Sequence, residues 1–422
     1  MVKASALYIV IIIALVIGVL CSALIVEAYF YKMQYQKKFR YEALQNNLSS
    51  GINILLNTGD TSYLYEKTFS LFNGTADSVS LKKIPWGLYD IGIVEAFIQR
   101  DTIYKTFSFA NTVDSAKWAA LYIIDEDRLL SLSGKTTIRG DAYIPKTGVK
   151  AAYVDNRAYQ GDKRLIIGHT HFSEKKLPDL FSGRLDQLNS MYAEPHENDS
   201  ALFKKDTIRQ SFLLSTRFIN FKKQVQTIKN INLNGNIVLL SDTAIIIDSS
   251  AVLNNILIFA KSISVKTGFH GTCQLFATDS IAVDHNCRFN YPSCLGVLRF
   301  SKVNATATQA KIVIGANCNI EGTIFTYEKT ETALKPMIDL AKYVKIKGQV
   351  YSQGILKLKD SVEVDGSIFS SRFLYQSSLT LFENYLINIR IDSKALSPYY
   401  LTGDLLPVAS KNKKILQWLE AN

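Results

Sequence analysis

Apolar and polar residues alternate in the same way in four blocks of the chain, residues 130–144, 312–326, 338–352 and 356–370. Each block has two short runs in which every second residue is apolar, with a turn between the runs. Alternation of this kind predicts short strands with one buried face. A glycine follows the second run in every block, which predicts a corner where a Cβ would clash. These corner glycines are Gly140, Gly322, Gly348 and Gly366.

The spacing of the repeats predicts a β-solenoid, that is, a parallel β-helix. The last two blocks start at residues 338 and 356, and residues 236–246 match residues 255–265 at nearly the same interval. Coils of this length stack and bury a common apolar core. We expect a solenoid over residues 230–375, with Gly235 as a further corner and a first coil at 130–144. An antiparallel sandwich is the alternative, but it would show no such period. The expected core includes Ile320, Ile346, Val364 and Ile368.

The recurrent x-I-x-G-x-I corner between residues 230 and 375 resembles that of bactofilins and similar right-handed β-helices. The resemblance implies a right-handed β-helical fold. Bactofilins also form polymers, and the resemblance leaves open whether this chain does. Bactofilins are usually much smaller and have no long apolar span, so polymerisation does not follow from the fold alone.

A membrane anchor is predicted at the N-terminus, where residues 4–26 contain no charged side chain. A helix over these residues crosses the hydrocarbon layer of about 30 Å. The uncharged stretch is longer than that of a cleaved signal peptide, which favours an uncleaved anchor. Apolar residues continue beyond it at helical intervals, which predicts one transmembrane and amphipathic stalk helix over residues 1–57. This amphipathic stripe comprises Tyr29, Met33, Phe39, Leu44 and Leu48. The alternative is a short linker helix after the span.

This N-terminus resembles that of type IV pilin-like proteins, in particular the minor pseudopilins of the type II secretion K class. The short basic leader Met1–Ala4 is followed at once by an apolar run and a long helix. Ala4 stands where glycine is usual, and Ile9 stands where most members have glutamate. The resemblance implies processing between Ala4 and Ser5, protein partners bound through the helix, and a body in the periplasm.

The charges around the span predict the opposite sidedness. Four basic residues follow the span, whereas only Lys3 precedes it. The positive-inside rule would therefore keep the body in the cytoplasm. With the pilin resemblance weighed in, we expect a single-pass protein of the inner membrane with a periplasmic or otherwise extracytoplasmic body. The four basic residues are Lys32, Lys37, Lys38 and Arg40.

The remaining segments are predicted from their patterning. Residues 58–129 alternate in short pieces and predict a small α+β head region. Residues 145–229 would be an insertion that interrupts the solenoid. Residues 376–422 would form a C-terminal cap region, whose last residues are compatible with a capping helix. The fold class expected is therefore mainly β, with an N-terminal transmembrane α-helix, a β-solenoid and a small α+β region.

The sequence offers one weak candidate for a metal site. His169 and His171 share one strand face, and His196 lies between Glu194 and Glu197. Two imidazoles two residues apart can chelate a metal. A solvent-facing strand edge explains them better, because no longer ligand pattern accompanies them. We therefore expect no metal and no cofactor.

The cysteines leave a redox question open. Four of the five fall between residues 273 and 318 without a C-x-x-C pair, which argues against a zinc ribbon. Disulfides are compatible with an extracytoplasmic body, and buried thiols are the alternative. The four are Cys273, Cys287, Cys294 and Cys318, with Cys318 at a predicted core position.

Composition changes this interpretation little. The 422 residues carry a net charge of +11, which favours anionic surfaces such as lipid headgroups. No dense basic run is present, so no nucleic-acid partner is expected. No phosphate-binding loop, nucleophile elbow or dinucleotide fingerprint occurs, and an enzyme is not expected.

Three functions are compatible with these features. The first is a structural or assembly role, as a pseudopilin-like component of a secretion or pilus-type filament. The second is a membrane-tethered cytoplasmic scaffold that polymerises through open solenoid edges. The third is a surface solenoid that binds or cleaves glycans. Membrane lipid is an expected partner in each case.

Overall fold

The computed structural model describes residues 2–71, 77–193, 206–300, 308–377 and 380–421. Strands make up 50% and helices 17% of the chain, so the mainly β prediction is confirmed. The chain divides into two compact units. The first comprises Met1–Lys83, Gly92–Phe107 and Trp418–Asn422, and the second comprises Ile84–Ile91 and Ser108–Gln417.

The described helices are two α-helices, α1 (Val2–Asn57) and α2 (Ser182–Ala193), and one 3-10 turn, Thr61–Leu64. The predicted long N-terminal helix is confirmed. It contains 56 residues. At about 1.5 Å per residue, its length is roughly 84 Å. Among the described residues it is the one helix long and apolar enough to cross a membrane.

The strands up to residue 228 are mostly short. They are β1 (Lys67–Phe69), β2 (Asp77–Trp86), β3 (Tyr89–Ile98), β4 (Asp101–Val113), β5 (Leu121–Ile123), β6 (Leu130–Ser133), β7 (Thr137–Arg139), β8 (Ala142–Ile144), β9 (Val149–Ala151), β10 (Ile166–Ile167), β11 (Thr170–Phe172), β12 (Thr207–Gln210), β13 (Arg217–Asn220) and β14 (Gln226–Ile228).

The later strands are longer in several cases. They are β15 (Asn232–Ile247), β16 (Val252–Val265), β17 (His270–Val283), β18 (Arg288–Arg299), β19 (Lys311–Ile314), β20 (Asn319–Glu328), β21 (Met337–Leu340), β22 (Lys345–Leu358), β23 (Glu363–Gln376), β24 (Leu381–Glu383), β25 (Tyr385–Ile387), β26 (Arg390–Asp392), β27 (Leu401–Thr402) and β28 (Ala409–Ala421).

A 19-stranded sheet, almost wholly parallel, organises the second unit. The long strands β15, β16, β17, β18, β20, β22 and β23 pair in that order. Residues that the repeat makes equivalent are direct partners in these ladders. Ile320 pairs with Ile346, which pairs with Val364, and Val350 pairs with Ile368. Their side chains lie in one buried apolar cluster along the sheet.

The corner glycines lie where strands approach too closely for a side chain. Gly348 pairs with both Gly322 and Gly366. The φ angles of Gly322, Gly348 and Gly366 are 145°, 142° and 148°. A Cβ on Gly366 would overlap the carbonyl oxygen of Gly348. Gly235 meets the carbonyl oxygen of Gln210 in the same way, and a Cβ on Gly140 would overlap Ser393 Oγ.

Strands from distant parts of the chain extend the stack at one end. Beyond β23 lies a composite layer of β26 and β5, which come from opposite ends of the chain. The block 130–144 follows this layer rather than preceding β15, because β7 pairs with β26 and β8 pairs with β5. β10 and β11 then pair with β7 and β8.

Three predictions about segments are corrected. The proposed insertion 145–229 contributes strands to both ends of the stack, since β12, β13 and β14 pair with β15. The described part of 58–129 contains strands and the 3-10 turn but no α-helix. The C-terminal residues form β28 instead of a capping helix. Strand pairing overrides local helix propensity in such segments.

Substitution of the corner glycine tests the close approach. Gly366→Ala should lower the free energy of unfolding by about 2–4 kcal/mol, because it combines an unfavourable φ with a displaced backbone. Gly268→Ala is the matched control, since Gly268 has a φ of 82° but open space among the described residues around its Cβ position. The control should cost about 1–2 kcal/mol. Urea unfolding of both variants measures the difference, and equal losses would contradict the close approach.

Candidate functional site

The C-terminal third of α1 is held against a sheet inside the first unit. Leu44, Leu48, Ile52 and Leu55 are buried, and they lie on one face of the helix because residues three and four apart share a face. Gly51 lies on the same face. A Cβ there would come within 2.7 Å of Val94 Cγ1, 2.8 Å of Leu81 Cδ2 and 3.1 Å of Val79 Cγ1. The glycine therefore lets the helix backbone approach the sheet directly.

Two polar contacts fix the same part of the helix. Arg40 Nε lies 2.8 Å from Asp101 Oδ2, at the point where the helix leaves the sheet. Asn47 is buried and donates through Nδ2 to Asp77 Oδ2 at 3.0 Å. The buried amide thus has its hydrogen-bond partner, and the helix is fixed in rotation as well as in position.

The helix before Arg40 has no cover within the described part of the molecule. Residues 6–39 are exposed throughout. The uncharged span accounts for the exposure of the first part of this segment. Between residue 27 and Tyr41 the helix carries large apolar and aromatic side chains that are each 49% exposed or more. We call these side chains the aromatic collar. It comprises Tyr29, Phe30, Tyr31, Met33, Tyr35, Phe39 and Tyr41.

Only part of the predicted amphipathic stripe is therefore packed against the sheet. Tyr29, Met33 and Phe39 belong to it by spacing but are exposed, whereas Leu44 and Leu48 pack on the sheet. Ala4 and Ser5 lie in the first turns of α1, and their side chains fall outside the described residues. Processing at that point stays a prediction.

The histidine pair has two separate partners. His169 Nδ1 lies 3.2 Å from Asp141 Oδ1, and His171 stacks on Tyr143 with ring centroids 4.9 Å apart. The backbone N–H of His169 also donates to Asp141, and this bond lowers the pKa of that carboxyl group. Among the described residues, no group of three His, Cys, Asp or Glu is placed to hold a metal ion. Glu194, His196 and Glu197 lie outside the described residues.

A polar cleft in the second unit was not visible in the sequence. Its volume is about 550 Å³. Carboxylates and lysines from three distant segments line it, including Asp127, Lys175, Asp179 and Glu331. Such groups can bind hydroxyl-rich or charged ligands, but some of the lining carboxylates already have charged partners. Glu126, for example, accepts from Arg372 at 2.7 Å.

A buried arginine on α2 was also missed. Arg184 is 2% exposed and binds Asp90 Oδ1 at 2.9 Å and Asp404 Oδ1 at 2.6 Å. It also donates to the carbonyls of Gly87 and Tyr89. Burial alone would lower the pKa of Arg184, but the two carboxylates more than offset this and raise it. The cluster ties α2 to the start of β3 and to the segment after β27, and it is structural. A lone Arg in an amphipathic helix gave no signal for it.

Substitution at Gly51 tests the packing of α1 against the sheet. Gly51→Leu should push α1 away from the sheet and lower the free energy of unfolding by about 1–3 kcal/mol, as overpacking does. Gly59→Leu is the control, because no described atom lies within 4 Å of its Cβ position. Hydrogen exchange of the amides of residues 44–57 should accelerate in the first variant alone. Unchanged exchange in Gly51→Leu would contradict the packing.

Comparison with known proteins gives little further information. No protein-family model matches the sequence, and no curated protein is similar to it. Among solved structures, the competence-associated pilin ComZ from Thermus thermophilus is similar at 10% sequence identity and a TM-score of 0.25. The match covers 85% of this chain and 86% of that chain. The interpretation of the site therefore rests on the geometry of this chain.

Proposed function

We propose that this protein is a single-pass, membrane-anchored assembly component, pilin-like in its anchor, with a structural rather than a catalytic role. In this proposal the body is a β-solenoid outside the cytoplasm, and the N-terminal helix joins a filament or secretion apparatus by packing against other helices. Membrane lipid and partner helices are its expected ligands.

The aromatic collar carries this proposal. The uncharged residues 4–26 already exceed the hydrocarbon layer, which is roughly 30 Å thick. The collar begins soon afterwards, at Tyr29, so its outer part lies beyond the hydrocarbon. The preference of Trp and Tyr for the membrane interface explains a single belt of aromatic residues at headgroup depth. It does not explain exposed aromatic side chains that continue from Tyr29 to Tyr41. These two residues are about 18 Å apart along the helix axis. A large exposed apolar surface of this kind marks an interaction site.

The packing of the C-terminal third of α1 on the sheet also supports an assembly role. The C-terminal third of α1 is fixed by packing and by the Arg40–Asp101 and Asn47–Asp77 contacts. The exposed part continues from it as the same unbroken helix. A preorganised helix loses little conformational entropy when it packs on a neighbour. The anchor is thus suited to helix–helix assembly.

The parallel stack supports a solenoid body with limited self-stacking. Lys345 pairs with Glu363 and Ile237 pairs with Ile256, so successive layers advance along the chain by the interval that the repeats predict. The two end layers both carry a basic excess. Residues 206–228 have four Lys or Arg and one Asp or Glu, and residues 149–172 have four and two. Juxtaposed like charges disfavour association, so end-to-end polymerisation is the weaker alternative.

A reporter fusion tests the sidedness on which the proposal depends. Alkaline phosphatase fused after Asn422 should be active, because the enzyme folds only where its disulfides form. A reporter active only in the cytoplasm, fused at the same residue, is the matched control and should be inactive. The reverse pattern would contradict the proposal. It would favour the cytoplasmic scaffold that the positive-inside rule predicts.

Cross-linking tests the collar as an assembly surface. Replacement of Phe30 and Phe39 by serine should abolish cross-links between this helix and neighbouring helices in membranes, since the apolar contact area is lost. Tyr65→Ser, at an 80% exposed position outside the collar, should leave the cross-links unchanged. Urea unfolding of the purified variants should match that of the parent chain. Cross-links that persist in the double variant would overturn the assembly role of the collar.

A further inference from the structure

Two cysteines occupy the same place in neighbouring layers of the parallel stack. Cys287 directly precedes β18 and Cys318 directly precedes β20, and the first partners in this ladder are Arg288 and Asn319. The N–H of Asn319 donates to the carbonyl of Cys287 at 2.9 Å. The two cysteines are therefore opposite each other across one strand spacing.

This placement is compatible with the Cα spacing of a disulfide. Neighbouring strands lie about 4.7–4.9 Å apart, and disulfides join residues whose Cα atoms are usually about 4.4–6.8 Å apart. Both side chains point into the same apolar core, with 1% and 0% exposure for Cys287 and Cys318. The Cβ vectors therefore have a common direction.

The two thiols are close enough to shift each other's protonation. The neighbouring Cys318 thiol lowers the pKa of Cys287 to about 7. The Cys287 thiol, with burial, raises the pKa of Cys318. Carbonyl oxygens accept from both: Lys266 O lies 3.2 Å from Cys287 Sγ, and Asp284 O lies 3.0 Å from Cys318 Sγ.

The other two cysteines of this region differ in orientation. Cys294 pairs with Gln274, so it is one residue out of register with Cys273. Successive side chains of a strand point to opposite faces, and Cys273 belongs to the core cluster while Cys294 does not. Cys287 and Cys318 are thus in register on one face, whereas Cys273 and Cys294 are out of register and point to opposite faces.

We propose that Cys287 and Cys318 form an intramolecular disulfide when the chain folds under oxidising conditions. The oxidant is a small or protein disulfide. The Cys287 thiolate attacks it and releases one thiolate, and the Cys318 thiolate then attacks the Cys287 sulfur of the mixed disulfide and releases the second. Two thiol protons leave, and two electrons pass to the oxidant, which ends as two thiols. Because both sulfurs are buried in the folded chain, the exchange takes place before the two layers close.

Synthesis in a defined redox buffer tests this proposal without depending on membrane sidedness. The full chain is made in a cell-free reaction with lipid nanodiscs, in either oxidised or reduced glutathione. The product is unfolded and alkylated, digested, and analysed by mass spectrometry with and without reduction. In oxidised glutathione, the peptides of Cys287 and Cys318 should be joined and unalkylated until reduced, while Cys273 and Cys294 should be alkylated. In reduced glutathione all four should be alkylated.

Two variants serve as controls. Cys318→Val introduces the residue found at the equivalent positions 344 and 362, and Cys287 should then be alkylated in both buffers. Cys273→Val should leave the Cys287–Cys318 link intact. The linked parent chain should unfold at a higher urea concentration than the reduced chain, and Cys318→Val should unfold at the same concentration in both buffers. Full alkylation of Cys287 and Cys318 in oxidised glutathione, or links to Cys273 or Cys294 instead, would overturn the proposal.

Discussion

Parallel hydrogen bonding between equivalent residues is the constraint on which the body of this protein depends. Each long strand places its residues directly over those of the strand one layer earlier, so an apolar side chain is packed by its own equivalents. The register admits no side chain where two backbones converge, which is why glycine recurs at 322, 348 and 366. The same register brings Cys287 and Cys318 together. One spacing rule thus decides the core, the corners and the placement of the thiols.

The long helix obeys a different rule, because its environment changes along its length. Hydrocarbon suits the uncharged first part, and a sheet of the first unit covers Leu44, Leu48 and Leu55. The aromatic collar lies between these two parts, beyond the hydrocarbon and before the sheet, and no described residue packs on it. A large exposed apolar surface of this kind marks an interaction site. This gap between lipid and sheet, more than the apolar span itself, favours an assembly role over a simple tether.

The sequence predicted what is periodic or strongly apolar, and it missed what depends on distant pairing. The alternation around Ile346 and Val364 sufficed for the ladder, since neighbouring repeats follow each other closely along the chain. No local pattern could show that Leu121 pairs with Ile368 or that Ile391 lies beside Val364, because those pairs join distant parts of the chain. Arg184 was missed for the same reason: its partners Asp90 and Asp404 are remote in sequence.

Charge and redox chemistry bear on the same question of sidedness from opposite directions. The basic residues after the span favour a cytoplasmic body by the positive-inside rule. Of these, Arg40 is engaged by Asp101 in the folded first unit. That ion pair forms only once the head has folded, so it cannot screen the charge during insertion. A disulfide between Cys287 and Cys318 would persist only in an oxidising compartment. Its detection in the chain isolated from cells would therefore favour the extracytoplasmic side on grounds independent of the pilin resemblance, whereas free thiols would agree with the charge rule.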